Sequence, residues 1–263
     1  MSPAAQERRR TALPVLCVTG AAWIAIVARS EGSGLSPTGC CLPPSLEAAF
    51  SLPSLRLIVA NNPPSSVTLA WVLMLLAMMT PMLASPLRHV IDRSFAQRRA
   101  WAVVLFLAGY LGAWVVAGAA IIPLALALRL LIPNPFAQAG VAATLAVAWQ
   151  CSPAKQRCLN RSHSNPQLSA FGWAADLDVL RFGFTHGDWC VGSCWALMWF
   201  SEVLSSQHLA AMAVVTLWVL AEHVERPTSP RWRLRVPARA ARLAIAQVGA
   251  RFPLTGRTKT ELV

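Results

Sequence analysis

Long apolar runs separated by short clusters of Lys and Arg constrain this chain more than any other feature. Of its 263 residues, 56% are hydrophobic and 13% charged, whereas a soluble domain carries charge on about 25% of its residues. The runs extend from Thr11 to Ala28, Val67 to Leu87, Trp101 to Ile122 and Phe136 to Cys151, with a longer apolar region from Trp189 to Val224. A helix crossing a hydrocarbon core needs ~20 residues, so the last region is too long for one crossing and short for two. A start upstream, near Leu177 or Leu180, and a turn near Ser205-Ser206-Gln207 divide it into two helices. The expected fold is all-α, a polytopic transmembrane helix bundle of six helices over residues 1–225 with a basic tail over 226–263.

The net charge of +12 raises nucleic acid as a partner, but its placement argues against one. There is no basic stripe interleaved with aromatic residues. With the N-terminus inside, the inner segments hold Arg8 to Arg10, Arg88 to Arg99, Lys155 to Arg181 and the tail, while the outer ones hold only Arg29, Arg56 and Arg129. That is the positive-inside pattern, and it puts both termini in the cytoplasm and lipid around the helices. Residues 30–62 read as an irregular outer loop containing Cys40 and Cys41, and 152–178 as a polar cytoplasmic loop. The first run reads as an uncleaved helix, because it is long for a signal peptide and no cleavage site is evident. The tail around Val236 to Arg251 is either a cationic amphipathic helix on anionic lipid or a disordered basic segment.

Chemistry concentrates in His186-Gly-Asp-Trp-Cys190-Val-Gly-Ser-Cys194-Trp195. Three metal-capable side chains recur there at steps of four, which share a helix face. Thiolates and imidazole suit Cu(I) or zinc. His186 and Cys194 lie ~12 Å apart along a helix, too far for one ion, so two adjacent members would combine with Cys158 or His163 from the cytoplasmic loop. The favoured set is Cys190, Cys194 and Cys158, with His186 or His163 in support. The alternative is that the thiols are packing residues.

Met74, Met78 and Met82 fall near one helical face, with Met198 one turn beyond Cys194. Thioethers suit Cu(I), so Met78, Met82 and Met198 are accessory candidates, although methionine is also an ordinary filler of helix interfaces. Glu202 and His208 are costly in lipid and form a candidate polar relay across the turn. No phosphate loop, nucleophile elbow or HExxH occurs, so no enzymatic activity is expected.

Trp71-Val-Leu-Met74, Ala77-Met78-Met79-Thr-Pro81, Gln150-Cys-Ser-Pro153-Ala-Lys155 with Cys158-Leu159, and Gly183, His186-Gly187, Cys190-Val-Gly192-Ser-Cys194-Trp195-Ala-Leu-Met198 together resemble the predicted metal-binding integral membrane proteins of bacteria. Some members of that family are labelled copper chaperones. The resemblance spans Val67 to Glu222 and implies a bacterial cytoplasmic-membrane protein that binds a soft metal and passes it to a protein recipient. Two departures remove thiols: Ser193 stands where the family tends to have a cysteine next to Cys194, and Ser162, beside His163, stands where it tends to have one after Cys158. Two other classes stay open, an assembly scaffold with a degenerate metal site and an ion or metal transporter using Glu202 and His208.

Overall fold

A computed structural model describes residues 3–33, 64–204 and 207–251. Cys40 and Cys41, and most of the expected outer loop, lie outside the described residues. Among the described residues the chain is all-α. Its nine helices are α1 (Pro3–Ser33), α2 (Pro64–Met78), α3 (Ala84–Arg93), α4 (Arg99–Leu131), α5 (Pro135–Cys151), α6 (Pro153–Arg161), α7 (Gly172–Val203), α8 (His208–His223) and α9 (Ala238–Arg251).

Every apolar run became helix, and the punctuation between them is local chemistry. Asn134 and Ser152 each precede a proline and cap the next helix. The Asn134 carboxamide oxygen accepts from the Phe136 and Ala137 amides, and Ser152 Oγ from the Lys155 amide. Capping oxygen followed by proline at the first helical position satisfies the otherwise orphaned donors. Pro81 opens a 3-10 turn, Thr80–Leu83, that bends α2 from α3 by 55° and drives Met78, Met79 and Met82 into the core. Gly172 begins α7 at φ 68°, a backbone state that side chains with a Cβ rarely adopt.

Two expectations change. The run from Trp101 does not stop at Ile122, for α4 continues through Pro123 and Arg129 to Leu131. The loop 152–178 is not all irregular, since Ser152 and Pro153 start the amphipathic α6. Among the described residues, one helix, Ala96–Leu131, is long and apolar enough to cross a membrane, and the bent pair Ser65–Met78 with Thr80–Arg93 passes if counted as one span. α5 and α8 are short for a crossing at 17 and 16 residues, and α7 carries His186 and Asp188 within its length.

α4 and α7 are the central pair, held at backbone contact by small residues. A Cβ placed on Gly183 would sit 2.1 Å from the Phe106 carbonyl oxygen, and one on Gly109 2.3 Å from that of Leu180. A Cβ on Gly187 would sit 2.8 Å from Ala113 Cβ. Gly183 and Gly187 are one turn apart, as are Gly109 and Ala113, the small-xxx-small pattern that lets helix backbones touch. The Trp71 indole fills the space over Gly118 and donates to the Trp114 carbonyl. The other helices pack around this pair, and their buried faces merge into one core containing Met78, Met198, Trp199 and Met212.

Candidate metal centre

Cys190 and Cys194 stand one turn apart on the buried side of α7, at 5% and 1% exposure. The Cys194 thiol donates to the Cys190 carbonyl at 3.1 Å. Tyr110 Oη, from α4, lies 3.4 Å from Cys190 Sγ. It is the chain's single tyrosine, and the sequence did not single it out. The available signal was a phenol inside an apolar run, which needs a buried partner. The hydroxyl can donate to a Cys190 thiolate and so stabilise the form that binds metal.

Methionines share the core with the pair. Met74, Met78, Met79, Met82, Met198 and Met212 are buried in the same core as the two cysteines. Met198 is one turn from Cys194, and Met78 and Met82 enter through the α2–α3 bend. The accessory thioethers therefore stand in the same buried cluster as the thiols.

The remaining sequence candidates are not gathered with them. Cys158 packs on Gly192, where a Cβ would lie 2.6 Å from Cys158 Sγ. Gly192 is two residues from both Cys190 and Cys194, roughly 200° around the helix at 3.6 residues per turn, so Cys158 approaches the opposite face. Burial and the nearby Asp188 carboxylate also push the Cys158 thiol up, which keeps it protonated. His163 presents Nδ1 to the Leu159 carbonyl at 2.8 Å and Nε2 to the His223 carbonyl at 3.0 Å. With both ring nitrogens turned to carbonyls, neither faces an open position for a metal. Its ring stacks on His223 at 4.7 Å. His186 is buried among Phe106, Tyr110 and Phe182, with ring centroids 5.9–6.1 Å away. Among the described residues, no three His, Cys, Asp or Glu side chains converge to hold an ion.

The serines at the missing-thiol positions are buried and bonded to their own helices. Ser193 Oγ donates to the Cys190 carbonyl at 2.8 Å, and Ser162 Oγ to the Leu159 carbonyl at 2.8 Å. The polar relay has different partners from those expected. His208 Nδ1 bonds the Ser201 carbonyl at 2.7 Å, not Glu202. Arg129, buried at the end of α4, donates to the Glu202 carbonyl and lies near the Glu202 carboxylate.

A second polar group stands at the other end of the bundle. Lys155 of α6 and Glu222 of α8 form a buried salt bridge, their side chains 5% and 8% exposed. Gln150 Nε2 adds a 3.5 Å contact to the same carboxylate. Burial pulls the Lys155 ammonium below the usual lysine range, with Glu222 pushing it back. Next to Gln150 in sequence, Trp149 of α5 donates its indole N–H to the carbonyl of Gly192, between the two cysteines in the chain, at 3.1 Å.

Two soft thiols one turn apart, with a phenol donor beside them and methionines in the same core, are donors of the soft type. Soft sulfur donors in low number select Cu(I), while zinc asks for four tetrahedral ligands. No curated protein and no solved structure matches the chain. Residues 68–246 match the family described as PpoB2, copper chaperone, and with that match covering most of its length, this chain belongs to the copper chaperone family.

Proposed function

We propose that this protein takes up Cu(I) on the Cys190 and Cys194 thiolates, within a membrane-embedded helix bundle, and hands it to a protein recipient. The observation that carries this reading is the buried thiol pair on one face of α7, sealed by Tyr110, in a core that also holds buried methionines. The family description supports copper as the cargo. Two thiolates with thioether support match Cu(I), which accepts few soft ligands; the donor set falls short for zinc. Cys158, His163 and His186 act as supporting residues around the helix rather than as ligands.

Membrane embedding is supported by what the bundle leaves outside. Val104, Val115, Val116 and Leu124 of α4, and Val214 and Leu217 of α8, are large apolar residues exposed on the outer faces. Only 28% of the apolar window of α4 is buried, whereas the core helix of a soluble protein is buried on most sides. Lipid is the solvent that accepts such faces at no cost. Both termini lie on the cytoplasmic side, by the placement of Lys and Arg. In fractionated cells, the protein is expected to stay in the membrane pellet after alkaline extraction; release into the supernatant would overturn the embedding.

The metal reading is tested by copper analysis of the detergent-purified protein loaded under reducing conditions. The parent is expected to hold one Cu(I), and the paired Cys190→Ser and Cys194→Ser variant to lose at least nine-tenths of it. Cys158→Ser is expected to retain the parental copper content, because its sulfur faces the far side of α7. Equal copper in the parent and the double variant would refute the thiol pair as the centre.

A further inference from the structure

The segment that follows α8 is strapped across the inner end of the bundle. The Arg233 amide donates to the Cys151 carbonyl at 3.0 Å. Asn160 and Thr228 exchange hydrogen bonds, Nδ2 to carbonyl at 2.8 Å and amide to Oδ1 at 3.3 Å. The Arg239 amide donates to Glu225 Oε1 at 2.6 Å. Beneath this strap lies a cavity of about 530 Å³, within the ~300–1,000 Å³ range of small-molecule sites. Arg226, Arg231, Arg233 and Arg235 line its wall, and Lys155 and Glu222 lie at its inner side.

The charge is unbalanced. Five cationic side chains line the cavity against two carboxylates, Glu222 and Glu225. Glu222 is already held by Lys155, and Glu225 by the Arg239 amide. Arg233 and Arg235 crowd each other, and burial together with the Arg233 charge lowers the Arg235 pKa. Such a cavity repels a bare Cu⁺ ion and concentrates anions. Yet it reaches the part of the bundle that packs on the thiol helix: Gln150 lines it, and the adjacent Trp149 donates to the carbonyl of Gly192, between Cys190 and Cys194 in the chain, at 3.1 Å.

We propose that this cavity is an entry vestibule for copper carried as an anionic Cu(I)–thiolate complex of a small soluble thiol. The inference rests on the thiol-pair reading for the destination of the metal. A Cu(I) ion bound by two thiolates is negatively charged, so the arginines attract the complex while excluding the free ion. Transfer exchanges ligands only. Each bond from copper to a carrier sulfur breaks as one to Cys194 or Cys190 forms, and each cysteine proton passes to a departing carrier thiolate. Copper remains Cu(I), and no electron moves.

The test uses full-length protein in detergent and the Cu(I)–glutathione complex, with the cationic Cu(I)–acetonitrile complex as comparison. In the Arg226→Gln, Arg231→Gln, Arg233→Gln variant, the loading rate from Cu(I)–glutathione is expected to fall about tenfold or more, the scale of electrostatic steering. Loading from the acetonitrile complex should not slow, and the final copper content should match the parent. Equal rates from Cu(I)–glutathione in the parent and the triple variant overturn the vestibule. A separate arm measures calorimetric binding of the same complex to the Cys190→Ser, Cys194→Ser variant. That variant is expected to bind the complex without extracting its copper, and to lose binding at least tenfold when the three arginines are also replaced. Absence of binding there overturns the vestibule, whereas full copper retention by the thiol-less variant overturns the thiol pair and leaves the vestibule standing.

Discussion

Lys155→Met is expected to destabilise the protein by about 3–5 kcal/mol, the cost of leaving one partner of a buried ion pair behind. The substitution keeps the length and much of the volume of the side chain, so packing changes little. What changes is that the Glu222 carboxylate keeps only the 3.5 Å contact from Gln150. A carboxylate in that position must either remain charged without a cation or take up a proton, and both are unfavourable. Thermal unfolding followed by tryptophan fluorescence reads the loss directly. Adding Glu222→Leu should restore most of it, because replacing both members of a buried pair with apolar residues is often neutral or stabilising. If the double variant is no more stable than the single one, the pair is not the source of the effect.

Gly183→Ala is the second large effect, expected to cost about 3 kcal/mol, at the upper end of typical overpacking penalties. The added methyl would sit 2.1 Å from the Phe106 carbonyl oxygen. The obstacle is backbone, which cannot rotate away, so α4 and α7 must separate. Separation also draws Tyr110 from Cys190, and copper binding should weaken together with stability. Gly112→Ala is the control on the same helix pair. A Cβ there meets nothing within 4 Å, and replacing a mid-helix glycine by alanine gains roughly 0.5–1 kcal/mol. Opposite signs for the two substitutions would show that helix contact, not helix propensity, sets the outcome. A neutral Gly183→Ala would disprove the close approach.

The helices were legible because hydropathy and capping are local. The runs from Trp101 and Phe136 are helical as the apolar pattern says, the run from Val67 is helical with a bend at Pro81, and the region from Trp189 parts into α7 and α8 between Val203 and His208. The thiol stripe was legible for the same reason: a spacing of four on one helix needs no tertiary information. Partnerships across the chain were not. Cys158 and Gly192 come together, but only the crossing of α6 over α7 shows that this is the far face from the thiols. Lys155 was counted as one more inner charge, and its pairing with Glu222 depends on two helices meeting. Gly183 and Gly187 were noticed as parts of a motif, while their role as a contact surface emerged only with Gly109 and Ala113 opposite.

The same small-residue contact bears on how the chain is made. Translation delivers α4 first, and α5 and α6 follow before the partner face on α7 leaves the ribosome. During that interval Gly109 and Ala113 form an open notch in a strongly apolar helix, a seat that another helix can occupy wrongly. In the proposed membrane setting α7, less apolar because it carries His186 and Asp188, gains most from entering alongside a helix already there. Biogenesis therefore has an order written into it, in which α4 is the template and the thiol-bearing helix is the late arrival.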